Sequence, residues 1–322
     1  MAQAGLPTWG IVTQLKAPLG AVETFLAWHL ELGADWIALY FDDPDDPAAN
    51  AIDGIDRVKV LRCHDKHWAK LKGFRPDLKT VRQVYNARHA YLRAKVDWLA
   101  HIDCDEFLWP VRATGDTGPW SQAMGRLLAR VSSHQPYLRL RPHEALINPD
   151  GTAPSHFRAP VPGEGQGATL HDLFGSHAVA LNRGMLSHSV GKAISRTGLP
   201  GFQPRLHVPR IQGKKLPGIP FCDEIALLHY HAHDRDDWLT QVEYRARLGA
   251  YSGRDESRTF YQSASREALI AFHDVVQVAH PGMVAKLAAA NMLLRADPRL
   301  DEARARVFSG SAGVPQSAVT SR

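Results

Sequence analysis

The stretch "WLAHIDCDEFLWP", Trp98 to Pro110, decides how this chain is read. An apolar run hands over directly to three carboxylates, Asp103, Asp105 and Glu106. Charged groups seldom sit beside a buried strand unless something compensates them. The segments before it alternate in type. "WGIVTQL" (9–15), closed by "KAPLG", reads as strand and turn. The next segment has apolar residues at 22, 25, 26, 30 and 32, the spacing of a helix that Gly33 stops. "DWIALYF" is a second strand ended by "DDPDDP", and "DRVKVLRC" a third. Leu78 to Val96 reads as a helix with Arg82, Asn86, His89 and Arg93 on its polar face, and the opening stretch is the fourth strand. Strand–helix–strand order predicts an α/β fold with a mostly parallel, twisted sheet flanked by helices. Ligands of such sheets bind beyond the carboxyl ends of the strands, so the "DDPDD" and "DCDEF" loops should face one crevice.

The 322 residues are enough for one large domain, and 44% hydrophobic with 22% charged residues is an ordinary globular balance. No apolar run approaches the roughly 20 residues of a membrane helix, and "MAQAGLPTWG" lacks the pattern of a signal peptide. Three scattered cysteines (63, 104, 222) suit neither a disulfide framework nor a zinc site, so a cytoplasmic protein is expected. Residues 111–233 are rich in Gly, Pro and His. Loops are expected at 159–172 and 198–220, with strands at "PYLRLRP" before the first and "HAVALNRG" between the two. Residues 234–306 read as C-terminal helices: one from Asp234, which can cap it, to Ala250, and one or two between Leu269 and Leu294, broken by "HPG". Residues 307–322 look disordered.

In an extended segment Asp103 and Asp105 would point the same way and reach one cation, and Mg2+ or Mn2+ prefers such oxygen ligands. Standing alone, an Asp-x-Asp is more often a solvated turn, but its place after an apolar strand, with Glu106-Phe107 following, points to a metal site. In "LLHYHAHDRDDW", alternation would set His229, His231 and His233 on one side, and imidazole suits Mn2+, Zn2+ and Fe2+. The phosphate-binding, dinucleotide and nucleophile-elbow motifs are missing, against an ATPase, a dehydrogenase or an α/β-hydrolase.

Three ordered segments, "IVTQLKAPLGAVETFLAWHLELGADWIALYFDDPDD", "VYNARHAYLRAKVDWLAHIDCDEFLWP" and "LLHYHAHDRDDWL", together resemble the bacterial family 2-type glycosyltransferases of GT-A fold, in the branch with a D-x-DEF metal motif. The resemblance implies that residues 1–110 are the nucleotide-sugar-binding half of a single domain and 111–233 its acceptor side. It also implies Mn2+ or Mg2+ on Asp103, Asp105 and His229. Thr13 to Lys16, Asp42, Asp43, Gln83 and Asn86 would lie at the nucleotide, and Lys192 and Arg196 would replace the family's phosphate-binding lysine, where this chain has His233-Asp234. Tyr85 stands where an Arg is common. The implied reaction moves a sugar, with inversion, from a nucleotide-sugar (a UDP-sugar) to a glycan or lipid-linked acceptor.

Inversion needs a general base, and Glu144, Asp223 and Glu224 are the candidates, each as readily a structural acid. Trp68, Trp109 and Trp120 could stack on sugars, although core packing is the commoner use. Ten Lys/Arg against two Asp between Arg62 and Lys95 could meet phosphate groups or an anionic membrane, giving peripheral association. A metal-dependent phosphoesterase or nuclease is the alternative, although the first third offers no histidines placed to complete a two-metal cluster. A nucleic-acid binder is disfavoured, since Tyr85 and Tyr91 fit the helix's buried stripe, and no nucleic-acid partner is expected.

Overall fold

The computed structural model describes residues 5–111, 118–163, 166–231, 235–247 and 255–308. The first third follows the expected alternation: β1 (Trp9–Leu15), α1 (Leu19–Glu31), β2 (Trp36–Phe41), α2 (Ala48–Ala51), β3 (Val58–Arg62), α3 (Asp65–Leu71), α4 (Lys79–Tyr91) and β4 (Trp98–His101). The strands pair in parallel in the order β3-β2-β1-β4. All of β1 and β4 is buried, which is why both read as nearly continuous apolar runs.

The acidic turn then leads into β5 (Glu106–Pro110), α5 (Ala123–Ala129), β6 (Tyr137–Ala145), β7 (His156–Arg158), α6 (Gln166–Phe174) and β8 (Lys192–Arg196). A small sheet of β9 (Phe202–Gln203), β10 (Arg210–Ile211) and β11 (Lys214–Lys215) precedes β12 (Phe221–His229). Helices α7 (Arg235–Arg247), α8 (Asp255–Ser263), α9 (Arg266–Gln277) and α10 (Pro281–Ala289), strand β13 (Leu293–Arg295) and α11 (Leu300–Phe308) complete the described chain. The main sheet continues from β4 through β8, β6 and β7 to β13 with antiparallel pairs, while β12 lies parallel to β6 and antiparallel to β5. The fold is thus mixed α/β, parallel in its first half, with helices packed on the sheet.

Several expectations are corrected here. "HAVALNRG" is not a strand: Gly175–Ala180 form a 3-10 helix, where Ser257 Oγ donates to the Val179 carbonyl and Tyr261 OH to that of Ala180. The loop expected at 159–172 turns helical from Gln166, and the one at 198–220 holds the small sheet. Pro281 opens α10 at the "HPG" break, where its missing N–H costs nothing. The Asp234 cap and most of the expected disordered tail, 309–322, lie outside the described residues.

Helices α6 to α10 share a second apolar core around Phe174, Trp238 and Phe272. Helix α11 instead returns to α1, with Arg304 paired to Glu23 and Arg306 to Glu31. Gly33, which ends α1, has φ +92°, and a Cβ there would run into the Ser121 carbonyl oxygen. Gly33→Ala should therefore lower the unfolding free energy by about 1–3 kcal/mol, read from a urea titration.

Candidate functional site

At the carboxyl ends of β1 and β4 lies an open cleft of about 1390 Å3, lined among others by Gln14, Lys16, Lys79, Gln83, Asp105 and His229. The Glu106 N–H donates to the Asp103 carbonyl at 3.0 Å, so residues 103–106 form a turn. The extended geometry expected for Asp103 and Asp105 is thereby corrected, and the two carboxylates take different partners.

Asp103 accepts from Gln83 Nε2 at 2.7 Å and from Lys192 Nζ at 2.5 Å. Strand β8 runs antiparallel to β4, with Ala100 opposite Ile194, and this carries Lys192 to the turn. Lys192 is buried, and its ammonium also lies 3.2 Å from Glu106 Oε2. Burial alone would raise the Asp103 carboxyl, but the Lys192 charge overrides it and holds the group well below the usual carboxylate range. Asp105 is half-exposed and faces His229 Nε2 at 3.5 Å.

Sheet register sets the other side of the site. On β12, His229 pairs with Glu106 of β5 on one side and with Glu144 of β6 on the other. Paired residues share a face, so an imidazole lies between two buried carboxylates. Burial opposes protonation of His229, but Asp105, Glu106 and Glu144 raise its pKa to about 9. Glu106 accepts from the Asp103 N–H through Oε2 at 2.8 Å, and its Oε1 meets His188 Nε2 at 3.2 Å. The rings of His207, His188, His229 and His231 follow one another at centroid separations of 4.7, 5.8 and 5.2 Å.

Glu144 has no access to the cleft, which corrects its candidacy as general base. It is fully buried, paired to Arg158 Nη2 at 2.8 Å, and accepts the N–H groups of Leu186 at 3.0 Å and Ser187 at 2.6 Å. It thus anchors the loop that presents His188. Burial would raise its pKa, but Arg158, His231 and these hydrogen bonds lower it from 4.5 to about 2. A carboxylate depressed in this way stabilises the native state above pH 4.5 and loses that contribution as pH falls toward 2. His229, raised above 6.5, contributes below that pH and loses its contribution as pH rises through about 9. Unfolding free energy measured across pH should fall on both limbs, the acid limb by on the order of 3 kcal/mol from Glu144, and Glu144→Gln should flatten that limb.

Other expectations fare unevenly. Asp223 and Glu224 stand at the outer end of β12, paired to Arg141 and Arg130, and line no part of the cleft. Arg196 lies at the opposite end of β4: it donates to the carbonyls of Val131, Ser132 and Gln135 and covers the Trp98 ring. Lys192 faces the acidic turn. Asp42 is gripped by Arg82 through two hydrogen bonds of 2.7 Å, with Arg75 at 3.3 Å, so its oxygens are taken by side chains of the protein. Asp43 faces Lys16 at 3.7 Å. Asn86 is buried, bridging Gln14 and His67, and Thr13 is buried in β1. Gln83 and Lys16 do line the cleft. Trp68 is a core residue, Trp109 and Trp120 pack on Trp28, and none of the three lines the cleft. His231 stays beside His229, while His233 lies outside the described residues.

The sequence reading missed Glu106 and His188 as parts of the site. Glu106 was legible in "DCDEF"; His188 sits in a segment, "GMLSHSVGK", with no periodicity to place it. No family model matches the chain, and no curated protein matches it. Among the described residues, no helix is long and apolar enough to cross a membrane.

Proposed function

We propose that this chain is a metal-dependent glycosyltransferase that moves a sugar from a nucleotide-sugar, of the UDP class, to a glycan or lipid-linked acceptor. The observation that carries this reading is the acidic turn at the carboxyl end of β4, opening into a cleft whose rim also bears Lys16, Lys79 and Gln83. Strand ends of this kind are where α/β sheets hold nucleotides. Asp105 and His229 offer oxygen and nitrogen donors to Mn2+ or Mg2+, which would neutralise charge developing on the departing diphosphate. For Asp103 to join them, Lys192 would have to release it.

On this reading Lys16 and Lys79 draw the diphosphate into the cleft. The bond from the anomeric carbon to the diphosphate oxygen breaks, the acceptor oxygen bonds to that carbon, and the acceptor proton passes to a carboxylate. With Glu144, Asp223 and Glu224 away from the cleft, the base comes from the acids that line it: Asp237, Asp297, Asp301 or Glu302.

A phosphoesterase is the second reading, favoured by one observation: His188 and His229 bring to Glu106 the suitably placed histidines that the first third of the chain does not supply. The two separate in one assay with Mn2+. Release of UDP from a panel of UDP-sugars, increased by added acceptor saccharides, supports the transferase. Hydrolysis of bis(p-nitrophenyl) phosphate with no UDP release favours the esterase.

A further inference from the structure

The residues around Glu106 form a cluster of donors that the Asp-x-Asp reading does not use. One atom each from Glu106, His188 and His229 lies within 4.8 Å of the other two. Donors around one first-row metal ion sit about 2.0–2.2 Å from it, so closing this triad takes only a small contraction. Glu106 and His229 are buried, and His188 is three-quarters so. Glu106 divides its two oxygens. Oε2 belongs to the fold, taking the Asp103 N–H and Lys192, whereas Oε1 meets His188, which itself lines the cleft. The loop carrying His188 is held by Glu144, and the strand register that aligns Glu106 with His229 is fixed by the sheet. Asp105 stands on the open side, 3.5 Å from His229 Nε2 but outside the mutual 4.8 Å of the triad, so it becomes a fourth donor only by moving inward. Asp103 has both oxygens engaged by Gln83 and Lys192, and it in turn balances the Lys192 charge.

We infer that this protein binds a first-row divalent transition ion on Glu106, His188 and His229, closed by Asp105, with Asp103 outside the ligand set and paired to Lys192. The inference rests on the metal-dependent reading above and changes its content. Two imidazoles with carboxylate oxygens favour Zn2+, Co2+ and then Mn2+ over Mg2+, which prefers an all-oxygen shell. The ion therefore sits one residue further along the turn than an Asp103–Asp105 clasp would place it.

The test is Co2+ titration of the full-length chain, followed by its visible absorption, with calorimetry for Zn2+, Mn2+ and Mg2+ in the absence of any nucleotide. The expected result is one site with affinity in the order Zn2+ > Co2+ > Mn2+ and Mg2+ far weaker. His188→Ala and Glu106→Gln should each weaken Co2+ by more than the roughly 10–100-fold that losing even an outer partner costs. Asp103→Asn should retain the site with an unchanged spectrum. His188→Asn guards against a folding failure, since its thermal melt can be compared with the parent's. Three results overturn the inference: no Co2+ binding, Co2+ binding lost in Asp103→Asn but kept in His188→Ala, or Mg2+ binding as tightly as Mn2+. The broader reading fails separately. A Co2+ site that depends on His188, with no response to any nucleoside diphosphate, leaves the ion site standing and removes the sugar transferase. Metal-supported UDP binding that survives His188→Ala does the reverse.

Discussion

Replacing Arg158 by methionine should lower the unfolding free energy by about 3–5 kcal/mol, measured by urea titration with matched slopes. Arg158 and Glu144 are both fully buried and paired at 2.8 Å, and the guanidinium also donates to the Val276 carbonyl and to Gln277 Oε1. Removing the cation leaves a fully buried carboxylate without its paired guanidinium, which costs more than the pair ever contributed. The double variant Glu144→Gln/Arg158→Met should recover part of the loss. Recovery stays incomplete because the N–H groups of Leu186 and Ser187 lose an ionised acceptor. Equal stability of the single and double variants would show that the pair is not the source of the effect.

Asp105→Asn should act in the opposite way, sparing the fold and removing the proposed transferase activity. Its side chain is half-exposed, so a change to an isosteric amide should move stability by no more than about 1 kcal/mol. It nonetheless strips the cleft of the turn carboxylate that Gln83 and Lys192 do not engage. Turnover with the best nucleotide-sugar should fall by on the order of 10²–10³-fold, the loss seen when a single group stabilising transition-state charge is removed. A fall in kcat with a melting curve moved by no more than a few degrees is the expected signature, and unchanged turnover would remove Asp105 from the site.

What the sequence made legible follows from how local each signal is. Strands β1 to β4 and helices α1 and α4 were readable because apolar periodicity is written within one segment. Strand order placed the cleft at the "DCDEF" turn, but the "DDPDD" loop expected to share it lines no part of it. Partnerships across the sheet were not. Lys192 reaches Asp103 from 89 residues away, and His188 reaches Glu106 from 82. Only the antiparallel register of β8 and the anchoring of the 186–188 loop by Glu144 bring them there. Arg82 shows the same limit: a cation on the polar face of a helix reads as solvated, yet here it is buried because Asp42 ends the neighbouring strand within reach. Glu144 failed as a base for a reason invisible locally, since its partner Arg158 sits on β7, beside it in the sheet.

The measurement that tests the central claim most directly is thermal stability with a panel of nucleoside diphosphates, with and without Mn2+, for the parent and Asp105→Asn. A ligand that binds only the native state raises stability by mass action, about 2.7 kcal/mol at a hundred times its Kd. The account predicts a rise in Tm for UDP that requires Mn2+ and is absent in Asp105→Asn. No rise for any nucleoside diphosphate in the presence of Mn2+ would contradict it.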